Sequence, residues 1–507
     1  MLVNFLIPLG KLVTTILFVI PFLFFYLIEK NLRIKVVNYS LKFALFSLFL
    51  IAYDNINRPD GGLYHYPFMK IINENKIIIG SANLHFRFGH TSIVQYLSAG
   101  FNNYFFNEKG MFIPLALIFY SSGKYFYDKI KLYMNKNNIL FLFSFLVLFQ
   151  ILFDMNRYSE FGNDVPAHLI VFIACFYFLE KKFLQYEDFF YLSLMTIFAF
   201  EIKATIFVIF LLPFYILIKN LKFLIEKKNL FIIIIIFSWF LKNILVSGCF
   251  VFPVKFTCSE NILWSTSKIY NINSPQRVSE ENEAWAKAWP DRKNGKLSYS
   301  DYLNEGWVST WIKSHGQTVI LKKILPLTFI LILTLFLLIR NYNLKNLEAN
   351  FDLKKKLIIL QIVGILGTLL WFAKFPTYRY GASYIIISLI CLIVLLNINK
   401  THNKLTKHLN NFILIVFTII IAKYISKYDG KKFFFPEIYS FVEKSNNTII
   451  EGKYLRKIYL NNKFSYYTTD DRHLCMYLSS PCTNIFTDKS LNEKEMAGYK
   501  IFYLDLN

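Results

Sequence analysis

The sequence predicts an all-α membrane protein with many transmembrane helices, and three observations support this fold class. Hydrophobic residues make up 55% of the 507-residue chain and aromatic residues 19%, more than in an average soluble domain. The apolar residues come in continuous blocks of about 15 to 20, long enough to cross a hydrocarbon core of roughly 30 Å. Clusters of basic residues separate many of these blocks, as they do in the loops between membrane helices.

Each apolar block predicts one helix, which gives about twelve spans with boundaries placed to within about three residues. The predicted spans are 12–28, 37–53, 111–127, 138–154, 165–180, 188–202, 204–219, 229–246, 323–340, 357–373, 381–398 and 410–426.

The net charge of +23 comes from 56 basic and 33 acidic residues, and in a soluble protein it would suggest a nucleic-acid partner. Here the basic residues concentrate in alternate connecting loops, so the positive-inside rule places those loops in the cytoplasm. The excess positive charge then reflects the orientation of the helices in the membrane, and no nucleic-acid partner is expected. Both termini and three long segments fall on the outer side of the membrane. The long segments are 54–110, 247–322 and 427–507.

Two domains are expected from this division. Residues 1–426 form the transmembrane domain, with outer loops 54–110 and 247–322. Residues 427–507 form a small extracytoplasmic α/β domain, because the runs TIIEGKYLRKIYL and YKIFYLDL have the composition of strands.

Four of the six cysteines form two local pairs on the outer, oxidising side. Cys249 and Cys258 share one outer loop, and Cys475 and Cys482 share the C-terminal segment. Both pairs could be disulfides, although chance spacing explains them equally simply.

Ionisable residues that a lipid-facing helix would avoid also collect on the outer side. The segment DNINRPDGGLYHYPFMK contains Asp54, Asp60 and His65, and SANLHFRFGH contains His85, Arg87 and His90. A carboxylate in this loop can act as general base toward a substrate hydroxyl.

Three further ionisable residues lie at predicted helix ends on the same side. Asp164 begins the fifth span and is either a helix N-cap or a substrate ligand. Lys203 follows Glu201 in a tight turn and is either an interfacial side chain or a site residue. Arg379 lies in PTYRYG, on the side that otherwise lacks basic residues, and is a candidate anion ligand. Together they fit an enzyme that acts on a charged lipid head group, because fixed cations stabilise a phosphate leaving group.

Several motifs carry a resemblance to a known superfamily. PDGGLYHYPFMKII, GSANLHFRFGHTS, GNDVP, SGCFVFP, PTYRYG and CMYLSSPC, in a polytopic chain with an acidic first outer loop, resemble a family of bacterial membrane proteins within the GT-C glycosyltransferases. The resemblance covers most of the chain. It implies transfer of a sugar from a polyprenyl-phosphate donor to a glycan or lipid-linked acceptor. It also implies a multi-pass protein of the bacterial inner (plasma) membrane, with its active site facing the periplasm or the exterior.

The resemblance also implies roles for individual residues. Asp60 matches the family's acidic residue upstream of Tyr-His and is the expected base, with Asp54 as the rival. His65, His85 and His90 would orient donor or acceptor, Arg87, Lys203 and Arg379 would hold phosphate, and Asp164 would be a second polar anchor. No certain cofactor is implied. A divalent metal, Mg²⁺ or Mn²⁺, is left open, its ligands are unknown, and no Asp-x-Asp motif marks a site for it.

Two other functions would also place ionisable residues on the outer side of the membrane. A flippase or transporter of lipid-linked oligosaccharide would also have about twelve spans, but it should carry polar or broken helices near the bilayer midplane. A ligase that transfers whole glycans has the same features at the outer face, and the sequence does not separate it from the transferase.

Overall fold

Helices dominate the computed structural model of this chain. It describes residues 1–25, 27, 29–53, 60–90, 92–134, 136–154, 164–181, 184–289, 298–339, 351–397, 407–427, 438, 455–461, 464–469, 474–485 and 490–505. The α-helices within these residues are α1 (Leu2–Leu6), α2 (Lys11–Phe25), α3 (Lys30–Tyr53), α4 (Tyr66–Glu74), α5 (Ile93–Gly100), α6 (Ile113–Tyr133), α7 (Asn138–Asp154), α8 (Asp164–Glu180), α9 (Tyr186–Ile202), α10 (Leu211–Lys219), α11 (Asn229–Ser247), α12 (Pro275–Ala286), α13 (Tyr299–Asn304), α14 (Val308–Trp311), α15 (Gln317–Val319), α16 (Leu325–Ile339), α17 (Phe351–Lys374), α18 (Tyr378–Asn397) and α19 (Lys407–Lys427).

Four helical segments in the described part of the chain are long and apolar enough to cross a membrane, fewer than the twelve that the sequence predicts. They are Lys30–Ile51, Asn229–Ser247, Asp352–Lys374 and Tyr378–Leu395. All twelve predicted segments do contain helix, but several of these helices are shorter or carry more charge. The shorter apolar helices are Lys11–Phe25, Ile139–Phe153, Ala204–Lys219 and Leu414–Lys423.

The ends of the long helices meet in two separate groups. In the first group, Lys129 near the end of α6 pairs with Glu180 at the end of α8. Lys228 before α11 pairs with Glu187 at the start of α9, at 2.8 Å. The amine of Lys356, near the start of α17, donates to the carbonyl of Lys181. We call this group the basic end.

The second group contains the opposite ends of α8 and α9, together with the start of α18 and the ends of α7 and α19. Asp164 at the start of α8 pairs with Lys203, which directly follows α9. Arg379 at the start of α18 also pairs with Asp164. Lys423 near the end of α19 donates to the carbonyl of Phe153 at the end of α7, at 2.5 Å. We call this group the site end, because it holds the candidate site described below.

The described residues after α19 form strands, which confirms the sheet part of the expected α/β segment, and residues 428–437 and 439–454 of that segment lie outside the described residues. β1 (Leu455–Asn461) pairs antiparallel with β2 (Phe464–Thr469), and β2 pairs parallel with β3 (Cys482–Thr483). β4 (Leu491–Met496) and β5 (Tyr499–Leu504) form an antiparallel hairpin.

This C-terminal segment packs directly on the loop between α3 and α6. Ile79 forms a parallel bridge with Ile501 of β5, and the amide of Met476 donates to the carbonyl of Gly62 at 2.9 Å. Tyr477, Phe502 and Leu504 belong to the same buried hydrophobic cluster as residues of α4 and α5. The C-terminal segment and the first loop therefore share one core.

The N-terminal residues join the same body. The side-chain amide of Asn4 donates to the carbonyls of Ile72 and Asn75, and the hydroxyl of Tyr499 donates to the carbonyl of Phe5 at 2.8 Å. The N-terminal residues, the first loop and the C-terminal segment, all of which the sequence places on the outer side, thus assemble together.

Two disulfides close short loops in this body. Cys249 is joined to Cys258 and Cys475 to Cys482. Cys175 and Cys391 are free and buried.

Candidate functional site

Arg379 lies between two carboxylates that are distant in sequence. Its Nη1 is 3.8 Å from Oδ2 of Asp60, and its Nε is 3.8 Å from Oδ2 of Asp164. The Asp60 side chain is about half exposed, whereas that of Asp164 is mostly buried. One carboxylate therefore faces open space, and the other is enclosed.

Lys203 completes this group. Its amine pairs with Oδ1 of Asp164 and lies 3.8 Å from the ring centroid of Tyr380. The hydroxyl of Tyr380 in turn accepts a hydrogen bond from Nη2 of Arg379, at 3.0 Å. We call Asp60, Asp164, Lys203 and Arg379 the ion-pair cluster; it draws on four separate parts of the chain.

The backbone around Asp60 is a tight helical segment that the C-terminal loop fixes in place. Residues Gly61–His65 form one turn of π-helix, a conformation that is frequent at functional sites, and α4 continues from it. A Cβ on Gly62 would lie 2.2 Å from Sδ of Met476. Glycine at this position therefore allows the C-terminal loop to pack against the turn that follows Asp60.

The backbone of Arg379 is held from α8. A carbonyl oxygen can only accept a hydrogen bond, so the ring nitrogen Nε2 of the buried His168 must carry the proton that it donates to the Arg379 carbonyl, at 2.9 Å. Nδ1 of His168 then accepts from the hydroxyl of Ser383, at 2.8 Å. His168 thus fixes the first turn of α18 relative to α8, which also carries Asp164.

Tyr64 links Arg87 to the ion-pair cluster. The Arg87 guanidinium carbon is 5.5 Å from the ring centroid of Tyr64. Burial, reinforced by the charge of Asp60, raises the pKa of Tyr64 well above its ordinary value. The Tyr64 hydroxyl therefore keeps its proton at neutral pH and can donate a hydrogen bond.

His65 and His85 are buried and neutral. The Oε1 atom of Gln95 accepts a hydrogen bond from the backbone amide of Ser92, at 3.0 Å. The Nε2 atom of Gln95 therefore faces Nδ1 of His65, at 2.9 Å. Nδ1 of His85 accepts from the amide of Arg87, and its Nε2 faces Oδ1 of Asn484 at 3.2 Å. Burial lowers the pKa of both histidines to about 3, with Arg87 adding to the effect. These contacts give both rings a positioning role in the loop.

The other predicted site residues lie elsewhere. His90 contacts the ring of Phe252 at 5.2 Å and faces Asn282 of α12 at 3.5 Å. Burial lowers the pKa of His90 to about 3, and the charges of Arg87 and Lys203 add to the effect. Asp54 lies outside the described residues. Among the described residues, no three His, Cys, Asp or Glu side chains group as metal ligands.

Sequence reasoning missed three residues that build this site: Tyr64, His168 and Tyr380. Tyr64 and Tyr380 flank residues already selected, and ordinary membrane-interface aromatics have the same appearance in a sequence. His168 is an ionisable residue inside the apolar helix α8, one turn after Asp164. Such a residue is a functional-site signal in a membrane segment.

The arrangement combines an accessible carboxylate with several fixed cations. Asp60 can accept a proton from a hydroxyl, while Arg379, Lys203 and Arg87 provide positive charge for a phosphate. Tyr64 and Tyr380 add hydroxyl groups beside these charges.

Comparison with known proteins identified one family. The family model described as "Domain of unknown function (DUF8201)" matches residues 1–386. The match includes all four residues of the ion-pair cluster and ends before the C-terminal sheet. No curated protein and no solved structure matches the chain.

Proposed function

The chain belongs to the DUF8201 family, and from the site geometry we propose that it is a GT-C type membrane glycosyltransferase that uses a polyprenyl-phosphate-linked sugar. The observation that carries the proposal is the position of Arg379, 3.8 Å from the half-exposed Asp60 and 3.8 Å from the enclosed Asp164. A base and a phosphate-binding cation are adjacent there. The acceptor would be a glycan or a lipid-linked glycan.

The proposed reaction is a direct displacement with inversion. Asp60 removes the proton of the acceptor hydroxyl, and the acceptor oxygen forms a bond to the anomeric carbon of the donor. The bond from that carbon to the phosphate oxygen breaks, and its electron pair leaves with polyprenyl phosphate. Arg379, Lys203 and Arg87 stabilise the charge that develops on the phosphate.

We propose that more helices than the four long ones cross the membrane, up to the twelve expected. The helices α7, α8 and α9 have 17 residues each, which is at the lower limit of the roughly 17 to 25 residues that a span needs. The lysine contacts of the basic end fit the cytoplasmic side, so the site end would face outward.

The buried Glu201 and Lys242 support a one-sided site over a transport path. Both side chains are buried within apolar helices, and their charges interact. Glu201 is the penultimate residue of α9, and its charge also acts on the amino group of Met1. This pair therefore lies near the site end, whereas a carrier would be expected to bind near the midplane.

The experiment is sugar transfer from a panel of polyprenyl-phosphate sugars to endogenous acceptor in membranes. We expect Asp60→Asn to lower the rate by about 10²- to 10⁴-fold, because it removes the general base. The matched control is Asp128→Asn in α6, since Asp128 is exposed and pairs with Lys124 on its own helix, away from the site end. Full transfer by Asp60→Asn at normal expression would refute the role of Asp60, and transfer from no donor would refute the proposed function.

A further inference from the structure

The disulfide-closed loop Cys249–Cys258 carries exposed aromatic side chains on a constrained backbone. Phe256 is 91% exposed and Phe250 is 52% exposed. The amide of Phe250 donates to the carbonyl of Thr257 at 3.0 Å, and the Thr257 hydroxyl donates to the carbonyl of Val254 at 2.7 Å. The two rings are therefore held outward by a closed loop with internal hydrogen bonds.

This exposed surface continues the apolar face of α11. Exposed side chains on α11 recur at helical spacing along one face, namely Leu230, Ile233, Ile234 and Phe237. Phe240 follows on the same face, and its ring contacts that of Phe250 with centroids 5.9 Å apart. The apolar face of a candidate membrane span thus runs without interruption into the loop.

The length of α11 places the loop at the edge of a bilayer. Its 19 residues extend about 28 Å, close to the thickness of the hydrocarbon core. Phe250 follows the last helical residue, Ser247, by three positions. If α11 crosses the membrane, the two phenylalanines lie at the level of the lipid head groups, where aromatic residues concentrate.

The inner side of the same loop packs against the turn that carries Arg87. Phe252 is buried in a small cluster with Phe86 and Val278, and its ring centroid is 5.2 Å from that of His90. A Cβ on Gly89 would lie 2.5 Å from the Phe252 ring. The loop thus contacts the site on one side and presents phenylalanines on the other.

We propose that the Cys249–Cys258 loop is an interfacial anchor, in which Phe250 and Phe256 insert between lipid head groups. Because Phe252 packs against the Phe86–His90 turn, the anchor fixes that turn relative to the membrane surface. The partner is the lipid surface itself. Moving an apolar ring out of water is favourable, so two inserted phenylalanines would hold the loop at the membrane surface.

The test uses the full chain in lipid nanodiscs with trifluoromethylphenylalanine at position 256, which gives a single ¹⁹F signal with little change in shape. One sample contains lipid with a nitroxide near the head group, and another contains a soluble gadolinium chelate. The same label at Tyr459, an exposed residue of β1, is the water-facing control. The label at Phe237, in the middle of α11, is the lipid-facing reference.

We expect the nitroxide lipid to broaden the signal at 256 more than the signal at 459, and the chelate to do the reverse. Broadening of 256 by the chelate to the extent seen at 459 would overturn the proposal. Protection of 256 from both agents would also overturn it, because a protein partner would then cover the loop. A signal at 237 that the nitroxide lipid leaves sharp would show that α11 does not cross the bilayer. None of these readouts requires sugar transfer, so this proposal and the proposed function fail independently.

Discussion

Arg379 is the residue on which the proposed chemistry depends most directly, because it contacts both carboxylates of the ion-pair cluster. A guanidinium group can hold a carboxylate and a phosphate oxygen at once through separate N–H groups, which a lysine amine cannot do with the same geometry. His168 holds the backbone of Arg379 from α8. The charge of this residue and its position are therefore set by different neighbours.

Replacing Arg379 by glutamine should reduce sugar transfer by about 10²- to 10³-fold, as expected for the loss of one group that stabilises developing charge. The rate of sugar transfer by Arg379→Lys should lie between that of Arg379→Gln and that of the wild type. The rates are measured in membranes with a saturating donor. Lys374→Gln is the control, because Lys374 is exposed and pairs with Glu283 instead. Equal activity of Arg379→Gln and the control would contradict the role of Arg379.

His65 and His85 should make the stability of the protein depend on pH. Their pKa is about 3 in the folded state and about 6.5 in the unfolded chain, so only the unfolded chain gains protons as the pH falls below 6.5. Their contribution to stability is complete above pH 6.5 and decreases toward pH 3. At pH 5 each of the two histidines lowers the free energy of unfolding by about 2 kcal/mol relative to neutral pH.

The measurement is the midpoint of thermal unfolding at pH 7 and pH 5. We expect the wild type to lose stability at pH 5 and His85→Gln to lose less, since one proton-binding group is gone from the unfolded chain. A pH difference in His85→Gln that equals that of the wild type would contradict this account.

At the scale of elements, the contact between Gly89 and Phe252 joins the Arg87 turn to the disulfide loop. Gly89→Ala would place a methyl group against the buried Phe252 ring, which we expect to cost about 1–3 kcal/mol. Gly123→Ala in α6 is the matched control, because a Cβ there meets no atom within 4 Å. Alanine should stabilise that helix by about 0.5–1 kcal/mol. Thermal unfolding midpoints that fall equally in both variants would contradict the close packing at Gly89.

The helices could be predicted from the sequence because apolar blocks mark them, but their ends and regularity could not. α17 begins at Phe351, six residues before the predicted span, because the charged run DLKKK continues the helix beyond the apolar block. The predicted span 204–219 is divided into the 3₁₀ segment Ala204–Phe210 and α10. Hydropathy reports apolar content, and it does not distinguish one helical hydrogen-bond pattern from another.

The site could be predicted in part for a related reason. The distribution of basic residues between the loops predicts that four residues lie on the same side of the membrane, and the structure brings them into contact: Asp60, Asp164, Lys203 and Arg379. Spacing along the chain cannot show which of several residues on one side will touch. His90, on the same loop as Arg87, faces α12 instead, because Phe252 packs against the end of that turn.

At the scale of the whole molecule, the helix ends form two groups with different composition. The basic end holds the contacts of Lys129, Lys181 and Lys228, and the site end holds the ion-pair cluster. The N-terminal residues, the first loop and the C-terminal sheet pack together through Ile79 and Ile501. A membrane between the two ends would keep the site on the same side as the disulfides, where oxidising conditions preserve them.

Single cysteines at the two ends should therefore react differently with a membrane-impermeant maleimide. Tyr459→Cys and Lys228→Cys both place a thiol at an exposed position, and the native cysteines are either buried or joined in disulfides. The pair between Lys228 and Glu187 is exposed, and exposed ion pairs contribute little to stability, so both variants should fold. In intact cells we expect labelling at 459 and none at 228, and after permeabilisation we expect labelling at both. Labelling of 228 in intact cells would reverse the orientation and place the ion-pair cluster on the cytoplasmic side, where it would have to meet a different form of the donor.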